Sequence, residues 1–192
     1  MTRVRYLLLS CLVVTACAGH QVDLMTQAPA TLAEEPGGYE AASVVRVVDG
    51  DTIEVEITGR SDGPGAGLAE VGREYPVRLI GIDTPESVKP GTPVECFGRE
   101  ASSAAKALLD GKTVRLVKDV EETDRYDRLL RYVYLEAEMA NARLVVNGYA
   151  AAYTYPPNIR WSSLFVQLQR EARENGRGLW SAASCAEENG GP

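Results

Sequence analysis

Histidine is nearly absent: His20 is the only one in 192 residues. It lies in a tether-like stretch remote from any patterned segment. A Ser-His-Asp or Cys-His nucleophile, a two-histidine ribonuclease site and a histidine-held zinc centre are therefore excluded. None of the four cysteines forms a Cys-x-x-Cys pair, which removes the usual redox and zinc spacings. There is no P-loop and no Gly-x-Gly-x-x-Gly beside a strand pattern, so no ready phosphate cradle for a nucleotide cofactor. Basic residues are in the minority, 20 Lys and Arg against 27 Asp and Glu, giving a formal charge of −7. That argues against loose, field-driven binding of polyanions, so any such contact must be local. Carboxylates, arginines, tyrosines and a hard metal ion remain as the means of chemistry.

The N-terminus reads as an export signal. Arg3 and Arg5 precede the apolar run YLLLSCLVVTACAG, too short to span a bilayer stably. Its end, VVTAC, is similar to a bacterial lipobox, which makes residues 1–16 the leader and Cys17 the lipidated first mature residue. One lipidated cysteine anchors a chain to a membrane surface rather than through it. Ordinary cleavage near Ala16 or Ala18, leaving a secreted soluble protein, is the alternative. Cys11 leaves with the leader and Cys17 carries lipid, so Cys96 and Cys185 remain. In an exported protein the expectation is that they pair, closing a long loop worth at most about 4–5 kcal/mol. Two buried free thiols are the alternative.

Residues 17–40 are small, acidic and rich in Pro and Gly without periodicity, and read as a flexible tether. Residues 41–182 form the expected domain and 183–192 a tail. SVVRVV, a DGD turn and TIEVEI predict a strand, a tight turn and a half-buried strand. The glycine-rich stretch 58–74 reads as a long hairpin loop dispensable for folding. YPVRLIGI, KTVRLVK and RLLRYVYL are further strands. GREASSAAKALLDGK predicts a helix stopped by Gly111, and EAEMANARLVVNGYA one ended by Gly148. Trp161, Leu164, Phe165, Leu168 and Ala172 line one stripe of a third helix, with Asn158 available as its cap and Gly176 as its stop. About five mostly antiparallel strands with about three helices suit an α+β, mainly β, fold: a five-stranded Greek-key barrel of the OB type.

Three clusters hold the chemistry-bearing side chains. VVDGDTIEV carries Asp49 and Asp51, RLIGIDTPE carries Arg78, Asp83, Thr84 and Glu86, and ETDRYDRLL carries Arg125, Tyr126 and Arg128. Singly, they read as an Asp-Gly hairpin, a strand entering a proline turn and a charged loop. Together with VECFGREA, AYTYPPN and GLWS, in order and near-family spacing, they resemble the staphylococcal nuclease family from about Val44 to Ser181.

The resemblance implies a phosphodiesterase, an endonuclease cutting DNA and RNA with little sequence preference and leaving 3′-phosphate and 5′-hydroxyl ends. It implies a calcium ion held by Asp51, Asp83 and the carbonyl of Thr84, an oxygen-only donor set of the kind calcium prefers. By the same resemblance, Glu86 is the general base, while Arg78 and Arg128 grip the scissile phosphate. Arg125 and Tyr126 contact phosphate, and Tyr153 and Tyr155 line the nucleotide pocket. Asp127 stands where the family commonly has glycine; its charge is expected either to weaken substrate binding or to pair with Arg125 or Arg128, with lower affinity and not inactivity as the result. The expected protein is a membrane-anchored, monomeric nuclease. A catalytically inactive OB-type module that binds nucleic acid or protein at the cell envelope is the alternative.

The assignment carries a geometric condition. A straight strand would place Arg78 roughly 16 Å from Asp83. They can share a phosphate only if the backbone bends between them, and Gly81 is the expected place.

Overall fold

The computed structural model describes residues 37–87, 94–182 and 184–185. The expected leader, the lipidation site Cys17 and the tail beyond Cys185 lie outside the described residues.

β1 (Tyr39–Asp49) and β2 (Thr52–Ser61) form a long antiparallel ribbon. Its register slips at Ala41/Ala42, Val44/Arg46 and Val47/Asp49, and such bulges bend a strand enough for one ribbon to wrap a barrel. β3 (Glu74–Leu79) adds to β2, and β4 (Ile82–Asp83) follows at once in a second, two-stranded sheet. After α1 (Gly98–Leu109), β5 (Thr113–Val117) pairs with β1, and β6 (Leu129–Leu135) pairs with β5. β6 then meets β3 in parallel, Val77 opposite Leu129 and Leu79 opposite Arg131, which closes a five-stranded barrel. β7 (Glu138–Met139), α2 (Ala140–Val146), β8 (Ala151–Ala152) and α3 (Ser162–Glu174) complete the elements, with a 3-10 turn at Gly178–Trp180. No helix among the described residues is long and apolar enough to cross a membrane. The expected OB-type barrel with three helices is what the chain forms.

Alternation along the strands fills the barrel. Val55, Ile57, Val77, Leu79, Leu116 and Val133 are fully buried, each stabilising by about 1.5–3 kcal/mol relative to exposure. α3 presents Phe165, Leu168 and Ala172 inward, with Trp161 and Leu164 partly covered beside them.

The bend required between Arg78 and Asp83 is present. β3 ends at Leu79, Gly81 has φ +82°, and the chain restarts as β4 in the other sheet. A side chain at Gly81 would meet the Phe165 ring as well as a disfavoured φ. Buried Asn141 holds the bend from inside, accepting from Val133 N at 2.9 Å and donating to the Ile80 carbonyl at 2.9 Å.

Several expectations need correction. β1 begins at Tyr39, so Glu40 belongs to the barrel and not to the tether. Both Glu40 and Arg131 have side chains 0% exposed, joined by Nε to Oε2 at 2.7 Å and Nη2 to Oε1 at 3.1 Å. Glu122 pairs with the same guanidinium. The stretch 58–74 is more than a hairpin loop. Its first residues extend β2, and the remainder covers this ion cluster, with Leu68 N donating to Glu122 Oε1 at 2.9 Å and Ala69 N to Glu40 Oε1 at 3.2 Å. Buried carboxylates need such donors to offset their lost hydration. Asn158 does not cap α3, whose N-cap is Trp161. Its Oδ1 accepts from Val120 N and Glu121 N, tying the 119–128 loop to the segment after β8.

Candidate active site

Asp51 sits in the tight turn between β1 and β2, and its carboxylate is the hub of the site. Oδ2 accepts from Thr84 N at 3.1 Å and Thr84 Oγ1 at 3.2 Å, and lies 2.6 Å from Arg78 Nη1. Oδ1 accepts from Thr52 Oγ1 at 3.0 Å. The other Arg78 nitrogen, Nη2, reaches Asp83 Oδ1 at 2.8 Å. One guanidinium thus spans two carboxylates carried by different sheets, which is possible only because the chain turns at Gly81.

A second arginine completes the floor. Arg128 gives Nε and Nη2 to Asp124 Oδ2 at 2.8 and 2.7 Å, and its Nη1 reaches Thr52 Oγ1 at 3.4 Å. The Tyr126 ring lies between two cations, with the Arg125 guanidinium 4.7 Å and that of Arg128 5.5 Å from its centroid. Tyr153 and Tyr155 are stacked 6.5 Å apart and half-exposed. A cleft of about 400 Å³ is lined by Arg78, Asp83, Arg125, Tyr126, Arg128, Tyr153 and Tyr155 together. The three sequence clusters therefore meet in one place, with cations at the floor and open aromatic faces at the rim.

Glu86 is not among the residues that line this cleft. Its backbone N donates to Glu95 Oε2 at 3.0 Å and its carbonyl accepts from Glu95 N at 2.8 Å. Its carboxylate is close enough to Asp49 to raise that group's pKa. Burial is the main cause of the raised Asp49 value; hydrogen bonds from Ser87 and Gly50 N oppose it, and the charges of Asp51 and Glu86 add to it. The Asp83 carboxyl is also pushed up, first by desolvation; Arg78 counters this and Asp51 adds to it. Carboxylates that raise one another's cost of ionisation are a natural seat for a cation.

The donor set fits a hard metal ion. Asp51 and Asp83 converge on a single positive group, Arg78, and the first residue after Asp83, Thr84, is tied to Asp51 through both N and Oγ1. All the available ligand atoms are oxygens, as calcium or magnesium requires. Among the described residues no three His, Cys, Asp or Glu side chains group as a metal site. A bound ion would therefore draw its remaining ligands from backbone carbonyl and solvent.

Asp124 is the residue that sequence reading missed. In TDRYDR two acids, Asp124 and Asp127, flank the Arg-Tyr pair, and pairing with an arginine is one of the two roles expected of Asp127. Instead Asp127 sits at φ +60°, with its N bonded to the Asp124 carbonyl at 3.1 Å. Asp124 Oδ1 accepts from the backbone N of Tyr126 and of Arg128, and Oδ2 holds the Arg128 side chain. Burial would raise its pKa, but the hydrogen bonds and charge from Arg128, with the Tyr126 amide, hold it below the ordinary aspartate range. Asp124→Asn keeps the Oδ1 acceptor and removes the charge. It is expected to lower kcat by about ten- to a hundredfold through misorientation of Arg128. In an Arg128→Ala background the same change is expected to have no further effect, which steady-state kinetics of the double variant would read.

The disulfide between Cys96 and Cys185 is present, with Cα atoms 5.8 Å apart.

Comparison with known proteins agrees with this geometry. The family described as staphylococcal nuclease homologue matches residues 76–182. The thermonuclease of Staphylococcus hyicus is 41% identical over 138 residues, 72% of this chain and 74% of that protein. The thermonuclease of Staphylococcus intermedius is 42% identical over 141 residues, 73% and 76% respectively. Endonuclease YncB of Bacillus subtilis is 32% identical over 147 residues, 76% of this chain and 64% of that protein. With the barrel, the Arg78 bend and these relatives in agreement, the chain belongs to the staphylococcal nuclease family, whose nucleases are generally metal-dependent phosphodiesterases.

Proposed function

We propose that the chain is an exported, calcium-dependent endonuclease that hydrolyses DNA and RNA with little sequence preference, leaving 3′-phosphate and 5′-hydroxyl ends. The observation that carries this reading is Arg78 spanning Asp51 and Asp83 at 2.6 and 2.8 Å in the cleft that also holds Arg128. Cleavage of a phosphodiester builds negative charge on the phosphoryl oxygens, and its stabilisation is the larger part of the task.

A calcium ion held by Asp51, Asp83 and the Thr84 carbonyl would supply Lewis-acid charge stabilisation there. Arg78 and Arg128 donate paired N–H groups to the phosphoryl oxygens, each fixed in orientation by a carboxylate before substrate arrives. Glu86 takes a proton from the attacking water. The new bond forms between that water oxygen and phosphorus, the bond from phosphorus to the 5′ oxygen breaks, and a proton goes to that leaving oxygen. Tyr126, Tyr153 and Tyr155 offer exposed faces on which any base can stack, and this accounts for tolerance of sequence. Arg125 adds a cation at the cleft mouth. The protein acts as a monomer, held at a membrane surface through lipidated Cys17.

Incubation of the protein with single-stranded and duplex DNA and with RNA, in calcium or in chelator, tests the reading. Cleavage is expected in calcium and not in chelator. Glu86→Gln is expected to lower kcat by about 10²–10⁴. Binding without cleavage in calcium would favour an inactive binding module instead, and equal rates in calcium and chelator would remove the metal from the reaction.

A further inference from the structure

The disulfide has no part in the chemistry described above, yet it is joined to the general base by a short path. Cys96 follows Glu95, and Glu95 holds Glu86 at both backbone groups, N to carbonyl at 2.8 Å and carboxylate to N at 3.0 Å. Gly98, two residues beyond Cys96, donates its N to the Glu95 carbonyl at 2.9 Å and packs directly on the Glu86 carbonyl. The Glu86 backbone is thus positioned by the segment 95–98, and Cys96 is the covalent point of that segment.

The other half of the bridge is moored at the end of α2. Ser184 Oγ donates to the carbonyls of Ser181 and Leu179 at 2.7 and 3.2 Å. Leu179 N donates to the Gly148 carbonyl at 2.9 Å, at the end of α2. From these contacts we propose that the Cys96–Cys185 disulfide is a positioning element for Glu86, so that the enzyme reaches full turnover only when oxidised.

This rests on the reading of Glu86 given under Proposed function. Reduction would leave the barrel intact. The Phe97 ring still stacks on Tyr149 at 5.8 Å, and α1 still buries Ala101, Ala105 and Leu108. What loosens is the short segment carrying Glu95, and a displacement of the base by an ångström costs rate rather than binding. Arg78 and Arg128 are held by Asp51, Asp83 and Asp124, and the charge of Glu95 reaches this group only as a lesser influence on Asp83, so substrate affinity is expected to change little. A chain made in a reducing compartment would accordingly be a poor nuclease until exported. There a disulfide oxidant accepts two electrons and two protons from the two thiols: Cys96 and Cys185 lose S–H bonds and form S–S as the oxidant becomes two thiols.

The test uses the full chain in a Cys11→Ser/Cys17→Ser background, which leaves Cys96 and Cys185 as the two remaining cysteines. Rates are measured in saturating calcium, below the melting temperature of the reduced form, with circular dichroism to confirm that the fold persists. Reduction is expected to lower kcat about tenfold or more while KM changes less than about twofold, and oxidised glutathione is expected to restore the rate. In a Glu86→Gln background the residual rate is expected to be the same reduced or oxidised. An impaired Glu86→Gln variant together with a kcat indifferent to reduction in the parent overturns the inference alone. So does a residual Glu86→Gln rate that falls with reduction by the same factor as the parent, since the bridge would then act by general loosening. A Glu86→Gln variant as fast as its parent overturns the functional reading and the inference with it. The pair Cys96→Ser/Cys185→Ser, which should match the reduced protein, provides the same comparison without a reductant.

Discussion

Arg78→Lys is expected to lower kcat by about two to three orders of magnitude, while the substrate-free protein binds calcium as tightly as before or more tightly. The two effects separate because Arg78 touches both Asp51 and Asp83 through different nitrogens of one planar group. An ammonium is a point charge and cannot reach both carboxylates while also offering two parallel donors to phosphate. With the fork gone, Asp51 and Asp83 share less countercharge, and their mutual repulsion favours a divalent cation between them. Calorimetric titration of calcium, beside steady-state cleavage of single-stranded DNA, reads both quantities. A kcat within about twofold of the parent would remove Arg78 from the reaction. Parallel loss of calcium binding would make it a scaffold for the metal ligands only.

Glu40→Gln is expected to destabilise the fold by about 3–5 kcal/mol, lowering the melting temperature by about 10 °C. The carboxylate is fully buried, and its partner Arg131 lies in the barrel wall, also fully buried. Removing Glu40 leaves a buried guanidinium with Glu122 and two carbonyls, of Glu122 and Leu130, as acceptors. Gln keeps one oxygen, which can still accept from Ala69 N and Arg131 Nη2, but turns an NH2 group toward Arg131 Nε, where Glu40 Oε2 accepts. Replacing both partners, Glu40→Met with Arg131→Met, is expected to recover most of the loss, because the burial cost of two ions disappears together. A chain begun at Ala41 is expected to melt like the single variant. Differential scanning calorimetry of the three proteins decides it. A Glu40→Gln melting temperature within about 2 °C of the parent would mean that Glu122 alone neutralises Arg131.

Much of the fold was legible because its determinants are local. Val55 and Ile57 alternate with Glu54 and Glu56, which sets the faces of β2 before any partner is known. Phe165, Leu168 and Ala172 recur at helical spacing and face the core of α3. The bend at Gly81 was legible too, since two residues required to share a substrate stood too far apart on a straight strand and one glycine lay between them. Arg128 was legible as a cation in a charged loop, whereas its partner was not. TDRYDR holds two acids at comparable spacing, and the left-handed backbone at Asp127 leaves Asp124 to face the guanidinium.

By itself the sequence determined the strands and helices, the presence of two aspartates, a glutamate and two arginines suited to phosphodiester chemistry, and the bend that their cooperation demands. These follow from side-chain period, turn chemistry and charge, which act over a few residues. Only the tertiary structure decided which groups meet across the barrel. Closure of β3 onto β6 in parallel puts Arg78 opposite Leu130 and brings the loop carrying Arg128 to Thr52. The same closure carries Arg131 to Glu40, 91 residues away, beneath a glycine-rich stretch that looked expendable. Partners so far apart leave no periodic trace in the chain, because their contact is fixed by strand register and barrel shape, not by spacing.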